Sequence, residues 1–177
     1  RLSKNTEALK YINDANKLSP DNYAIKYTLG MLYKKFKKYD EAISFFKESI
    51  KLNSKFKEGL NILADIYYNK KDYQTSANYY QRSTNLDKTK NNLFALNRLA
   101  EILLRLYSVN QNKDLLKESK NLYQIIDSLV PNNDSILQNI ININNIIGLR
   151  KDSVLIDKSN NGIFVLDNSI NEIKVEY

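Results

Sequence analysis

Leu29-Gly30-Met31-Leu32-Tyr33 and Leu63-Ala64-Asp65-Ile66-Tyr67 stand 34 residues apart, and the likeness continues beyond them. Each is followed by a lysine-rich turn and a tyrosine, Lys37-Lys38-Tyr39 in the first case and Lys70-Lys71-Asp72-Tyr73 in the second. Ala42, Phe46 and Ser49 then correspond to Ser76, Tyr80 and Ser83, and the two blocks close on Leu52 and Leu86. Apolar or small residues recur at three- and four-residue steps, which predicts two helices per unit, each with one buried stripe. Gly30 and Ala64 lack bulk where helix must approach helix, and Leu29, Tyr33, Leu63 and Tyr67 fill the space around them. Gly30 could instead end a helix, but the apolar period runs through it, so close packing is the better reading. A unit of this size cannot bury its face alone and stacks on its neighbours.

Composition agrees with a helical reading. The 177 residues include 4 Gly, 2 Pro, no Cys and no His, with 27% charged and 42% hydrophobic residues. Few glycines and prolines leave little material for a strand-and-turn protein. The missing Cys and His exclude disulfides, thiolate nucleophiles, histidine-based acid–base triads and the usual zinc and haem ligand sets. No stretch approaches the roughly 18–20 apolar residues of a membrane span. The chain opens on Arg1 without a charged-then-apolar leader, which reads as a mature or excised piece. A chain without Cys suits the cytoplasm and an envelope space equally. The abundance of Asn, Lys, Ile and Tyr reads as coding bias, so single Asn and Lys residues carry little functional weight.

The quoted small, large and proline positions resemble the tetratricopeptide repeat, a helix–turn–helix of 34 residues. Ala8, Ile12, Ala15, Leu18 and Pro20 read as the second helix of a partial repeat, 1–22. Repeats at 23–56 and 57–90 follow, then a longer one at 91–133. That last repeat has Leu99-Ala100 in its first helix and Ser119, Tyr123, Ile126, Leu129 and Pro131 in and after its second. A capping helix is expected at 134–149, carrying Ile136, Ile140, Ile143 and Ile147 on one face. One departure is Lys26, which stands where the family often has an aromatic, with Tyr27 beside it. The resemblance implies an all-α solenoid of antiparallel helix pairs in a right-handed superhelix, over a domain spanning 1–150.

Residues 151–177 change character. Ser153-Val154-Leu155-Ile156-Asp157 and Ile163-Phe164-Val165-Leu166 flank Lys158-Ser159-Asn160-Asn161-Gly162, and Asn-Gly between β-branched runs predicts a hairpin. Ile170 to Tyr177 alternates weakly and could add a third strand. The expectation is a small β-hairpin or three-stranded meander, marginal alone and therefore packed on the cap.

Several patterns invite chemistry and give way to plainer readings. Asp157-Lys158-Ser159-Asn160-Asn161-Gly162 resembles the opening of a calcium loop, but the closing acidic ligand is Asn168 and the flanks are strand-like. Gly162 to Val175 looks like a piece of a propeller blade, and one piece cannot close a propeller. Among the tyrosines, Tyr33, Tyr39, Tyr67, Tyr73, Tyr80 and Tyr123 fall in core positions, whereas Tyr27 and Tyr68 lie off the stripe. Carboxylates are scattered, without a phosphate loop or a nucleophile–base pair. The chain is therefore expected to be no enzyme and to need no cofactor, metal or small-molecule substrate.

The resemblance further implies that the first helices line an inner wall where a partner protein docks. The candidate contacts are Tyr27, Met31, Lys34 and Lys35, then Asn61, Asp65, Tyr68 and Asn69, then Asn97, Glu101, Leu104 and Arg105. Spacing of three to four residues groups each set on one helix face. Relatives that clamp a chaperone's terminal carboxylate use lysines and asparagines that are absent here. Tyr27 and Met31 replace the first pair and Phe94 a later lysine, and only Arg98 fits. The expected function is a protein–protein interaction scaffold that takes a helix or extended segment of a partner. Self-association through the C-terminal strands is a further expectation.

Two rival readings stand beside it. Residues 1–56 hold 12 Lys and Arg against 6 Asp and Glu, densest at Lys34-Lys35-Phe36-Lys37-Lys38, whereas 134–177 hold 4 against 6. The basic half could meet RNA or an anionic surface. No arginine stripe or stacking-aromatic motif accompanies it, so nucleic acid is not the expected partner. The other rival is a subunit of a larger enzyme whose catalytic part lies elsewhere.

Overall fold

A helix hairpin repeats along the chain because each short turn carries the signals that stop one helix and start the next. The structure, a computed structural model, describes residues 2–148, 164–167 and 172–175. Among these, eight α-helices run in order: α1 Leu2–Leu18, α2 Tyr23–Lys35, α3 Tyr39–Leu52, α4 Lys57–Asn69, α5 Tyr73–Leu86, α6 Leu93–Asn110, α7 Lys113–Leu129 and α8 Asp134–Gly148. A single 3-10 turn, Lys90–Asn92, precedes α6. The chain forms two compact units, Arg1–Asp87 and Lys88–Tyr177.

In the first unit, Asn22 caps α2, its Oδ1 accepting from the Ala24 and Ile25 amides at 2.9 and 3.3 Å. The helix stops in a Schellman turn. The Lys38 amide donates to the Tyr33 carbonyl at 3.0 Å and the Lys37 amide to the Lys34 carbonyl at 2.9 Å. The same pair of bonds closes α4, from Asp72 to Tyr67 at 3.0 Å and from Lys71 to Tyr68 at 2.9 Å. Lys37 and Lys71 accordingly take left-handed φ values of 60° and 62°.

The core of this unit gathers Ala42, Ile43, Phe46, Ile50, Leu60, Leu63 and Ile66, with Tyr27, Tyr33, Tyr67 and Tyr79 against it. Gly30 is where the two helices of the first hairpin meet: a Cβ there would lie 2.6 Å from Phe46 Cε1. Close packing is thus its role, as the uninterrupted period predicts. Aromatic pairs also repeat, Tyr33 on Phe45 at 5.2 Å and Tyr67 on Tyr79 at 5.7 Å, both stacked. Lys26, the departure from the family pattern, ion-pairs with Glu48 at 2.8 Å. Three expected core positions are exposed instead: Leu18 at the end of α1, Leu52, and Tyr39 at the first residue of α3. Each sits at a helix terminus, where the stripe has run past the neighbour it would pack on.

The second unit pairs α6 with α7 and α7 with α8. Leu96, Leu99, Ile102, Leu116 and Tyr123 are fully buried, and the Ser119 hydroxyl donates to the Ala100 carbonyl at 2.9 Å. On α8, Ile136 and Ile143 are buried while Ile147, expected on the same stripe, is 41% exposed.

The C-terminal expectation requires correction. β1, Phe164–Asp167, pairs antiparallel with β2, Glu172–Val175, in the register Phe164 to Val175 through Asp167 to Glu172. The chain therefore reverses across 168–171, not at Asn160-Asn161-Gly162, and no three-stranded meander forms among the described residues. The backbone of β2 comes against α6, not against the cap as expected. A turn signal says only where a chain can reverse, and eight residues of ladder are too few to make a layer of a fold. The fold class is the all-α solenoid without the C-terminal sheet as a component. The expected strand 153–157, the Asn-Gly turn and the calcium-like sequence 157–162 lie outside the described residues.

Candidate protein-binding face

The expected contact residues divide by unit and by what already holds them. On α2, Met31 is 39% exposed, Lys35 is exposed and Lys34 is half-buried. Tyr27 behaves differently: its ring sits edge-on to Phe56 at 4.9 Å and tilted on Phe46 at 5.6 Å. Burial first, and then the Glu58 charge, raise its hydroxyl pKa above the usual tyrosine value. Tyr27 is therefore partly a structural residue, off the stripe in sequence yet tied to the core.

On α4, Asn61, Asp65 and Tyr68 are half-buried and Asn69 is exposed. The Asp65 carboxylate accepts a hydrogen bond from the Tyr80 hydroxyl of α5. Tyr68 meets Tyr73 edge-to-face at 5.5 Å. The structure brings Lys34 and Asn69 to one depression, which Lys37, Lys38, Tyr39, Asp40, Glu41, Ile66 and Lys70 also line. Lys70 pairs there with Asp40 at 3.2 Å, tying the turn of one repeat to that of the next.

On α6, the Asn97 amide donates to Glu101 at 2.7 Å and Arg98 pairs with the other Glu101 oxygen at 3.0 Å. Arg105 is half-buried. Leu104 is 2% exposed and belongs to the core, so it presents nothing to a partner. Sequence spacing puts Leu104 beside Glu101 and Arg105 on one helix, but only the neighbouring helices decide which positions are covered. The turn lysines at 37, 38 and 70 were not among the candidates, although their 34-residue recurrence was the available signal. Among the described residues no group of His, Cys, Asp and Glu is arranged to hold a metal. No helix among them is long and apolar enough to cross a membrane.

The profile of the tetratricopeptide repeat family matches residues 23–56 and 58–90. The chain carries tetratricopeptide repeats. These repeats place it among solved structures of the same fold. The crystal structure of MamA is 20% identical, covers 84% of this chain and 81% of its own, and superposes with a TM-score of 0.61. YrrB, described as a TPR protein with an unusual peptide-binding site, is 16% identical over 85% of this chain and 73% of its own, with a TM-score of 0.64. The first TPR of Spaghetti (RPAP3), bound to the HSP90 peptide SRMEEVD, is 20% identical over 72% of this chain and 94% of its own, with a TM-score of 0.55. At these identities the likeness is one of fold, and that fold is helical repeat without a C-terminal sheet. No curated protein sequence matches the chain.

Proposed function

We propose that the chain is a non-enzymatic scaffold that holds a helix or extended segment of another protein on the first helices of its repeats. The observation that carries this reading is Met31, an exposed apolar side chain on α2 flanked by Lys34, Lys35 and the edge of the Tyr27 ring. An apolar anchor within a polar rim is what an amphipathic segment needs for orientation as well as affinity. Asn61, Asp65 and Asn69 of α4 offer amide and carboxylate groups to the same kind of ligand, and Asn97, Glu101 and Arg105 do so in the second unit. The peptide described for YrrB and the HSP90 peptide bound to Spaghetti support this use of the fold.

The test is selection of peptides from a displayed library on the whole chain, followed by titration against Met31→Glu with Asn69→Ala. Both positions are exposed, so the fold should stay intact by circular dichroism. Affinity is expected to fall roughly tenfold or more, the loss usual for a central anchor. Undiminished binding would move the site away from α2 and α4. Tyr27→Ala is a poor probe, because it also opens a gap beside Phe46 and Phe56.

A further inference from the structure

We infer that the turn edge of the first unit is a second docking surface, built to take an acidic polypeptide segment. It is separate from the exposed Met31 anchor and does not depend on it. The two Schellman turns stand 34 residues apart, and each places a lysine in the left-handed region, Lys37 at φ 60° and Lys71 at φ 62°. A side chain at that position strains the backbone and glycine does not. The backbone does not ask for lysine there. Where the chain takes the same conformation elsewhere among the described residues, it uses neutral Gln111 and Asn132. Lysine at both corresponding turns is thus a choice of charge made against local preference.

The charge is also available. Among the described residues no carboxylate pairs with Lys34, Lys37 or Lys71, whereas Lys38 and Lys70 are matched by Glu41 at 3.9 Å and Asp40 at 3.2 Å. The Lys70–Asp40 pair joins the two turns, so the unmatched ammonium groups belong to one continuous edge. Lys34 and Lys37 open onto the depression beside the exposed ring of Tyr39. Asp40 and Glu41 on the same rim oppose a strand with a charge at every phosphate, and the depression holds no arginine to fork onto one. A peptide can space its carboxylates over the free lysines and lay an apolar side chain on Tyr39, so charge complementarity selects an acidic segment.

The experiment compares the whole chain with K37G/K71G, titrating a fluorescein-labelled Glu-rich peptide containing phenylalanine, poly-uridine RNA, and phosphatidylserine vesicles. The variant removes two charges and two strained backbones together, so it should melt at a higher temperature while binding the peptide roughly five- to tenfold more weakly at low salt. The difference should shrink toward roughly 0.15 M salt. K37N/K71N removes the charge but keeps a residue suited to the turn, and should lose the same affinity. Equal peptide binding by wild type and both variants would overturn the proposal. So would tighter, equally variant-sensitive binding of the RNA or the vesicles.

Discussion

Gly30 shows how much one missing methyl can decide. The added Cβ of Gly30→Ala would come within 2.6–3.0 Å of three Phe46 ring carbons, and Phe46 is fully buried with nowhere to move. The gain in helix propensity, about 1 kcal/mol, opposes an overpacking cost of about 1–3 kcal/mol. The cost should win because the obstructing atoms belong to a rigid ring. Urea denaturation of the variant is expected to show a lower midpoint, and a raised midpoint would mean the hairpin can open to admit the methyl. This role was legible from the uninterrupted period through Leu29-Gly30-Met31. Tyr27 was not, since the ring it meets most closely, Phe56, lies in the next turn of the fold and leaves no local sign.

Between elements, corresponding positions of successive repeats do different work. Asp65 on α4 accepts from the Tyr80 hydroxyl on α5. Glu101 on α6 holds the place of Asp65 and Tyr123 on α7 that of Tyr80. Glu101 is instead engaged by Asn97 and Arg98, while the buried Tyr123 hydroxyl has no hydrogen-bond partner among the described residues. Tyr80→Phe should therefore cost about 1–3 kcal/mol, the worth of a bond to a charged group. Tyr123→Phe should be neutral or stabilising, since it removes an unsatisfied hydroxyl without breaking a bond. Thermal melts of the two variants check the contrast, and equal losses would show that the two tyrosines are held alike. The repeat pattern made the two tyrosines look equivalent. Their difference comes from the length of the acid at the facing position and from Arg98, which competes for it.

Across the whole molecule, the absence of His and Cys leaves no side chain whose ordinary titration falls between about pH 5 and 8. Stability should be flat through that range. Burial pushes the hydroxyls of Tyr107 and Tyr123 above the ordinary tyrosine value, with Glu101 adding to the effect on Tyr123, and Tyr27 follows for the reasons given above. The unfolded chain then releases these protons first. Their contribution is fully present below about pH 10, the unfolded tyrosine value, and is lost as pH rises from there through the folded values. Urea midpoints measured against pH should fall above about pH 10, and less steeply in Tyr123→Phe. An alkaline limb identical in that variant would assign the loss to other groups.

The sequence by itself determined the helical repeat, its period, its small-residue contacts and the turns, because each is written in residues close together along the chain. Only the tertiary structure decided that Leu104 and Tyr27 turn toward the core, that Tyr39 and Leu52 remain exposed, and that β1 pairs with β2 and not across the Asn-Gly turn. Periodicity fixes which face of an element a residue occupies. Whether that face is covered depends on neighbours brought together from distant parts of the chain, and their position follows from packing that no local pattern encodes.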